Sequence, residues 1–286
     1  MTGQVVKIVS GIFSVFHDGM ITDCTAKGLL KHKKSDILTG DFVDVDENNV
    51  ITNIIERKNS FSRPSVANVD IAVIVISKKP SPDFHLIDKL IVASNFVGVP
   101  VIIVVNKTDL DHSFIDDVYA DYCRAVDKIF GVSSLNGFGL GELIAYLDGK
   151  LAVFTGQSAV GKTSIVNAVF GEDRAVGELS RKTEKGKQTT TVSEIVFKNN
   201  IKIVDTPGFS SFDLSLKAEE LADYYVDFQD FVIDCKYGDC VHIKECDCAV
   251  KNAAKNEQIS KNRYFRYTEL FSELKNGVKY DRRKKN

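Results

Sequence analysis

The sequence predicts a multi-domain chain of three consecutive parts: a small β-barrel over residues 1–62, an α/β domain over 63–212, and a helical Cys/His-bearing segment over 213–286. Three observations predict it. Short β-branched and aromatic runs, separated by turn residues, fill the N-terminal part. Continuous apolar runs alternating with helical spacing follow. After about Phe212 the strand signals stop, and Cys235, Cys240, Cys246 and Cys248 crowd together.

The bulk numbers suit this division. A chain of 286 residues accommodates one large or two to three small domains, and 44% hydrophobic content is ordinary for a globular protein. A net charge of -2 argues against wholesale wrapping of nucleic acid but leaves local patches open. No apolar run approaches the ~18 residues of a spanning helix, and the first residues lack a signal-peptide pattern. A cytoplasmic location is therefore expected, where cysteines serve as free thiols or metal ligands in place of disulfides.

In the first part, residues 5–9, 11–16, 41–45 and 50–55 read as strands, punctuated by Gly19, Gly28, Gly40, Asn48 and Asn49. About five short strands in this length suit a closed barrel such as an OB-fold; another small barrel or a meander is the alternative. In the second part, residues 69–77 and 101–105 are continuous apolar strands, with helical spacing over 86–96 between them. Further strands are expected at 128–132, 151–155, 192–197 and 201–205. Such runs indicate a parallel sheet covered on both faces, which binds ligands at the carboxyl ends of its strands.

The polar motifs sit at those ends. Polyphosphate binding needs backbone N–H groups turned toward an anion. Gly156-Gln157-Ser158-Ala159-Val160-Gly161-Lys162-Thr163 supplies them after one strand. Gly156 and Gly161 permit the turn, and the N-terminus of the helix beginning at Ser164 adds partial positive charge. Lys162 is placed to reach the β- and γ-phosphates and Thr163 to ligate Mg²⁺. The alternative is a Gly-rich turn without ligand.

The purine is chosen elsewhere. Asn106, Lys107, Thr108 and Asp109 follow the strand at 101–105. The Asp109 carboxylate can accept hydrogen bonds from guanine N1–H and the 2-amino group; adenine offers neither, so a site built this way rejects it. The Lys107 stem would lie along the base, and Ser133 and Ser134 would offer a backbone N–H to guanine O6. Asp205-Thr206-Pro207-Gly208 then provides a carboxylate for Mg²⁺ and, at Gly208, an N–H for the γ-phosphate. Of Thr189, Thr190 and Thr191, Thr190 is expected to complete the magnesium shell, strand propensity being the plainer reading. Phe209 stands where many GTPases carry a water-orienting Gln. Slow intrinsic turnover is thus expected, with Gln188 the candidate to assist. In an ordinary GTP-binding domain the phosphate loop precedes the base reader. Here the order is reversed, which marks a circular permutation.

Cys235, Cys240, His242 and Cys248 offer three thiolates and an imidazole, the donor set of a closed structural zinc site. Cys246 is an additional thiol that could compete, and unliganded cysteines or a redox pair are the alternatives.

Taken together, these features resemble the circularly permuted, small-ribosomal-subunit-dependent GTPases of bacteria. The likeness rests on Arg63-Pro64 with Ala67-Asn68-Val69-Asp70, the base reader, the phosphate loop, Thr189-Thr190, Asp205 to Phe209, the four metal ligands and Cys248-Ala249-Val250-Lys251. It implies an OB-fold, a permuted P-loop GTPase domain and a zinc-binding helical domain. It also implies GTP and GDP with Mg²⁺ and one Zn²⁺, and late maturation of the small ribosomal subunit with hydrolysis stimulated by that subunit. Two positions depart from the family: Gln188 stands where His is usual, and Ala159 where Gly is usual, which is harmless if its φ is negative. Lys27, Lys31, His32, Lys33 and Lys34, and a tail rich in Lys and Arg from 251 onward, could neutralise rRNA phosphates or be solvated faces. A monomer is the default expectation. The rival functions are an ATP-using kinase or ATPase, opposed by Asn106 and Asp109, and an RNA-binding scaffold with a vestigial site, opposed by Lys162, Thr163 and Asp205.

Overall fold

Five N-terminal strands close on one another: β1 (Thr2–Val9), β2 (Ile12–His17), β3 (Met20–Ala26), β4 (Phe42–Val45) and β5 (Val50–Ile54). The computed structural model describes residues 1–27, 37–171, 193–198, 200–205 and 216–277. The strands are ordered β1-β2-β3-β5-β4, and β4 returns to pair with β1. Only β3 with β5 is parallel. This closed five-stranded barrel has the OB-fold form and excludes a meander. Val5, Val15, Cys24, Val43, Val45 and Ile51 fill it. β3 escaped the sequence reading because its residues, Met-Ile-Thr-Asp-Cys-Thr-Ala, are mostly polar or exposed.

A two-rung hairpin, β6 (Ser60–Phe61) and β7 (Val66–Ala67), leads into the α/β domain. There follow β8 (Ile71–Ile76), α1 (Phe84–Phe96), β9 (Val101–Val105), α2 (Phe114–Tyr122), β10 (Lys128–Gly131), α3 (Leu140–Leu147), β11 (Leu151–Thr155), α4 (Lys162–Phe170), β12 (Glu194–Lys198) and β13 (Ile201–Asp205). The sheet order is β10-β9-β8-β11-β13-β12. Alternate residues of each central strand face opposite layers, as the two-residue period requires. Ala72, Ile74, Ile76 and Ile103 pack on α1 and α2 through Ile87, Leu90, Ile91, Val118 and Tyr122. Ile71, Val73, Val75 and Ile102 pack on α3 and α4 through Leu143, Leu147, Ile165 and Val169. The expected all-parallel sheet needs one correction. β12 runs antiparallel to β13, because two intervening residues can only make a hairpin, whereas a parallel pair needs a long crossover.

β12 also touches the barrel. β1 pairs with it at Lys7 and Glu194, whose side chains form an ion pair of 2.9 Å. Lys202 Nζ donates to Gln4 Oε1 at 3.0 Å, the Thr39 hydroxyl donates to Ser193 O at 3.1 Å, and the rings of Phe16 and Phe197 lie 4.6 Å apart. Barrel and domain thus form one continuous eleven-stranded sheet.

The C-terminal part contains no strand among the described residues. It has 3₁₀ turns at Ala218–Tyr224 and Val226–Phe228, a single helical turn at Gln229–Val232, the Cys/His loop, α5 (Ala249–Lys255) and α6 (Lys261–Lys275). Ser260 caps α6 by accepting from Arg263 N. One face of α6 packs on α1 through buried charges. Arg263, fully buried, donates to Asp88 Oδ1 at 2.6 Å and to both carboxylate oxygens of Asp227 at 2.8 and 2.9 Å. Arg266 bonds the other oxygen of Asp88 and reaches Asp121 at 3.3 Å. Burial pushes the Asp88 carboxyl up from its ordinary value, and the two guanidiniums oppose it.

Candidate functional site

Strands β9, β8 and β11 lie side by side and parallel, so the loops leaving their carboxyl ends share one rim. The base reader leaves β9 and the phosphate loop leaves β11. They meet directly. Asn106 Nδ2 donates to Val160 O at 2.9 Å, and Lys107 Nζ donates to Ala159 O at 2.8 Å. Two glycines make this approach possible. At Gly161 (φ +94°) a Cβ would lie 2.3 Å from Asn106 Nδ2; at Gly156 (φ +130°) it would lie 2.2 Å from Val75 O. A side chain at Gly161 would push the two loops apart, and one at Gly156 would push the phosphate loop off the backbone of β8.

Lys162 opens α4 and curls back over the loop, its Nζ donating to Gly156 O at 2.8 Å and Gln157 O at 2.5 Å. Burial lowers its pKa, because the ammonium is partly withdrawn from water. Thr163 and Ser164 occupy the first turn beside it, and Ser158 and Ala159 are exposed along the loop. Ala159 has φ +64°. The condition under which alanine was expected to substitute freely for glycine is therefore not met, because the loop imposes a left-handed conformation at this position.

Asp109 is oriented by the Ser133 hydroxyl, 2.5 Å from its Oδ1. The Ser133 N–H goes to Phe138 O at 3.0 Å, and the Ser134 N–H to Asn106 Oδ1 at 3.2 Å. The two serines are thus brought to the base reader as expected, though they brace Asp109 and Asn106 and their backbone N–H groups are engaged within the protein. Asp205 ends β13, adjacent to β11 at the same rim. The Asp205 side chain, Gln188, Thr189, Thr190, Thr191, Gly208 and Phe209 lie outside the described residues.

One segment of the rim was not legible in the sequence. Residues 77–83, between β8 and α1, touch both motifs. Asp83 N donates to Gln157 Oε1 at 2.8 Å and Gln157 Nε2 donates to Ser81 O at 3.3 Å. Lys107 Nζ donates to Lys79 O at 2.8 Å. Lys78 pairs with Asp111 at 2.6 Å, and that hydrogen bond leads the contacts that hold the Asp111 carboxyl down to about 2.

The second cluster lies in the C-terminal part. The ligand atoms of Cys235, Cys240, His242 and Cys248 all fall within 4.8 Å of one another. A tetrahedral zinc ion with bonds of about 2.3 Å to sulfur and about 2.0 Å to nitrogen requires S–S edges of roughly 3.8 Å and S–N edges of roughly 3.5 Å. Cys235 Sγ lies 3.9 Å from Cys248 Sγ and 3.6 Å from His242 Nδ1, and His242 Nδ1 lies 3.3 Å from Cys248 Sγ. The donor set fits a zinc ion. Burial pushes the Cys240 thiol up to about 12 and raises Cys248 as well; a bound dication reverses that balance and holds thiolates. Cys246 is exposed and outside the cluster, so it does not compete for the position.

The loop around these ligands is tied at several points. Glu245 accepts from the backbone N–H groups of Val241, Ile243 and Lys244. Tyr264 and Tyr267 of α6 donate to His242 O and Val241 O, both at 2.7 Å. None of these supports was legible beforehand. The i, i+3 spacing of Tyr264 and Tyr267 is the signal that could have placed them on one helix face.

Comparisons with known proteins agree with this architecture. The chain matches the family model described as RsgA GTPase over residues 54–215 and the RsgA N-terminal domain over residues 2–55. A small ribosomal subunit biogenesis GTPase RsgA from Alkaliphilus metalliredigens is 35% identical, with 97% of this chain and 99% of the relative covered. The protein of the same name from Mesomycoplasma hyopneumoniae is 37% identical, over 93% and 96%. The crystal structure of YjeQ from Thermotoga maritima superposes with a TM-score of 0.82 at 32% identity, over 96% of this chain and 98% of the other. That of YloQ, described as a circularly permuted GTPase, gives 0.79 at 28% identity, over 96% and 95%. Sequence, barrel topology and reversed motif order therefore converge, and the chain belongs to the RsgA GTPase family.

Proposed function

We propose that this protein hydrolyses GTP to GDP and phosphate as a factor in late maturation of the small ribosomal subunit, which binds it and stimulates the reaction. The observation that carries this is the bond from Asn106 Nδ2 to Val160 O at 2.9 Å. It joins a guanine reader to a phosphate loop 54 residues further on, in the order opposite to that of ordinary GTPases. Curated relatives at 35–37% identity carry the name of small-subunit biogenesis GTPases.

In this reading Asp109, braced by Ser133, selects guanine, and Asn106, Lys107 and Ser134 line the base. Gly156 to Thr163 with Ser164 cradle the phosphates, and Lys162 neutralises them. Thr163, Thr190 and Asp205 would hold Mg²⁺, which supplies charge neutralisation at the β- and γ-phosphates. Gly208 would report the γ-phosphate and Gln188 would orient water. Cys235, Cys240, His242 and Cys248 would hold a structural zinc ion. The functional division is 1–62 for RNA contact, 63–212 for the GTPase and 213–286 for the zinc domain with its basic tail. Lys27 is exposed at the end of β3; Lys31, His32, Lys33, Lys34 and residues 278–286 lie outside the described residues. A cytoplasmic monomer fits this role, and no described helix is long and apolar enough to cross a membrane.

The test is GTP turnover with and without isolated small ribosomal subunits. Stimulation of at least ten-fold, on the order of one transition-state contact of ~1.4 kcal/mol, is expected. Turnover that the particle leaves unchanged would sink the assignment while sparing the fold.

A further inference from the structure

The strap formed by residues 77–83 lies against the nucleotide motifs on one side and runs into α1 on the other. Gln157 is the only phosphate-loop side chain among the described residues shown bonding to this strap. Its amide bonds it twice, accepting from Asp83 N at 2.8 Å and donating to Ser81 O at 3.3 Å. Lys107 adds a third tie by sharing its ammonium between Lys79 O and Ala159 O, both at 2.8 Å. Asp83 in turn caps α1, its carboxylate accepting from Leu86 N at 2.9 Å. One residue of the strap therefore both receives the phosphate loop and starts the helix.

That helix is held along its length by the C-terminal domain. Asp88, fully buried, takes both guanidiniums of α6. His85 and Lys89 both bond Glu273 of α6, at 2.8 and 2.7 Å. At the far end Asn95 Nδ2 donates to Tyr224 O at 2.9 Å, and Phe96 packs edge-on against Tyr224. An α-helix bonded at both ends moves as a rod. Ordering of the phosphate loop around an anion thus passes through one hydrogen bond to the capping residue Asp83 and a second to Ser81 beside it, and from the cap to a helix on which the zinc domain is seated.

We infer that Gln157 is a positioning residue that couples nucleotide occupancy to the docking of α6 and the zinc domain. The inference rests on the nucleotide reading above. Coupling of two sites is reciprocal: GDP that steadies the seat of α6 must bind more tightly when α6 is seated. Loss of the Gln157 amide leaves the buried ion network and the Lys107 bridge in place but removes both direct bonds between the phosphate loop and the residues that start α1.

The experiment is backbone amide exchange of the intact zinc-loaded protein, with and without GDP, in the wild type and in Gln157→Met, which keeps the side-chain length and removes both hydrogen bonds. A fluorescent GDP analogue monitors binding, and each protein is studied at a saturating concentration. In the wild type GDP is expected to slow exchange in Lys261–Lys275 by about five-fold or more, the low end of measured couplings. In Gln157→Met the slowing should fall below two-fold, with exchange of the nucleotide-free α6 unchanged. GDP that binds without protecting α6, or protection that survives Gln157→Met undiminished, would overturn the coupling alone. Absence of GDP binding by the wild type would overturn the nucleotide reading together with it, and loss of binding in Gln157→Met alone would overturn the positioning role of Gln157.

Discussion

Ala159 carries a local cost that the rest of the phosphate loop avoids. Its φ of +64° places a Cβ in the left-handed region, which costs roughly 1–2 kcal/mol for an L-residue. Ala159→Gly removes that cost and gives back part of it by loosening the unfolded chain. The nucleotide-free variant is expected to be about 0.5–1 kcal/mol more stable, read as a higher thermal midpoint; an unchanged or lower midpoint would show that the loop relaxes around alanine at no expense. The residue scale is also where the sequence was most legible. Asn106, Asp109, Lys162 and the four metal ligands each pair a distinctive chemistry with a distinctive spacing. The tie of Gln157 to Asp83 and Ser81 was not legible, because an amide in a loop looks alike whether it faces water or a partner 74 residues away.

Among the elements, α6 depends most on charge. Arg263 is fully buried and bonded to Asp88 and Asp227 at once. Removing one partner of such a group leaves the others uncompensated in a place water cannot reach. Arg263→Met is therefore expected to cost about 3–5 kcal/mol in chemical denaturation, whereas loss of an exposed pair such as Lys261 with Glu257 should leave the denaturation midpoint nearly unmoved. Legibility at this scale followed burial. β8, β9 and β11 are buried at every position and were plain as uninterrupted apolar runs. α2 and α3, nine and eight residues long with three buried side chains each, gave too short a periodic signal to place. β3 hides its one fully buried side chain, Cys24, among polar neighbours.

For the whole molecule the decisive strand is β1, which serves two cores. Val5 faces the barrel interior, while Val6 packs with Phe61, Val66 and Ile195 in the core of the α/β domain. Sequence showed two β-rich regions and a change of texture near Arg63, but could not show one strand belonging to both, since the pairing of β1 with β12 spans nearly two hundred positions. Shared burial predicts shared unfolding. Calorimetry should show barrel and α/β domain melting in a single transition, and Val6→Ala should lower that transition by about 2 kcal/mol for the lost methyl groups and the space they leave. Two separate endotherms, with only the earlier one shifted, would contradict this. The same seam settles where an outside chain could extend the sheet. Among the described residues, β10 ends the strand order on the side away from the barrel. That border begins with Lys128, whose ammonium lies over the rings of Phe130 and Tyr146; a charge there discourages stray strands from adding on.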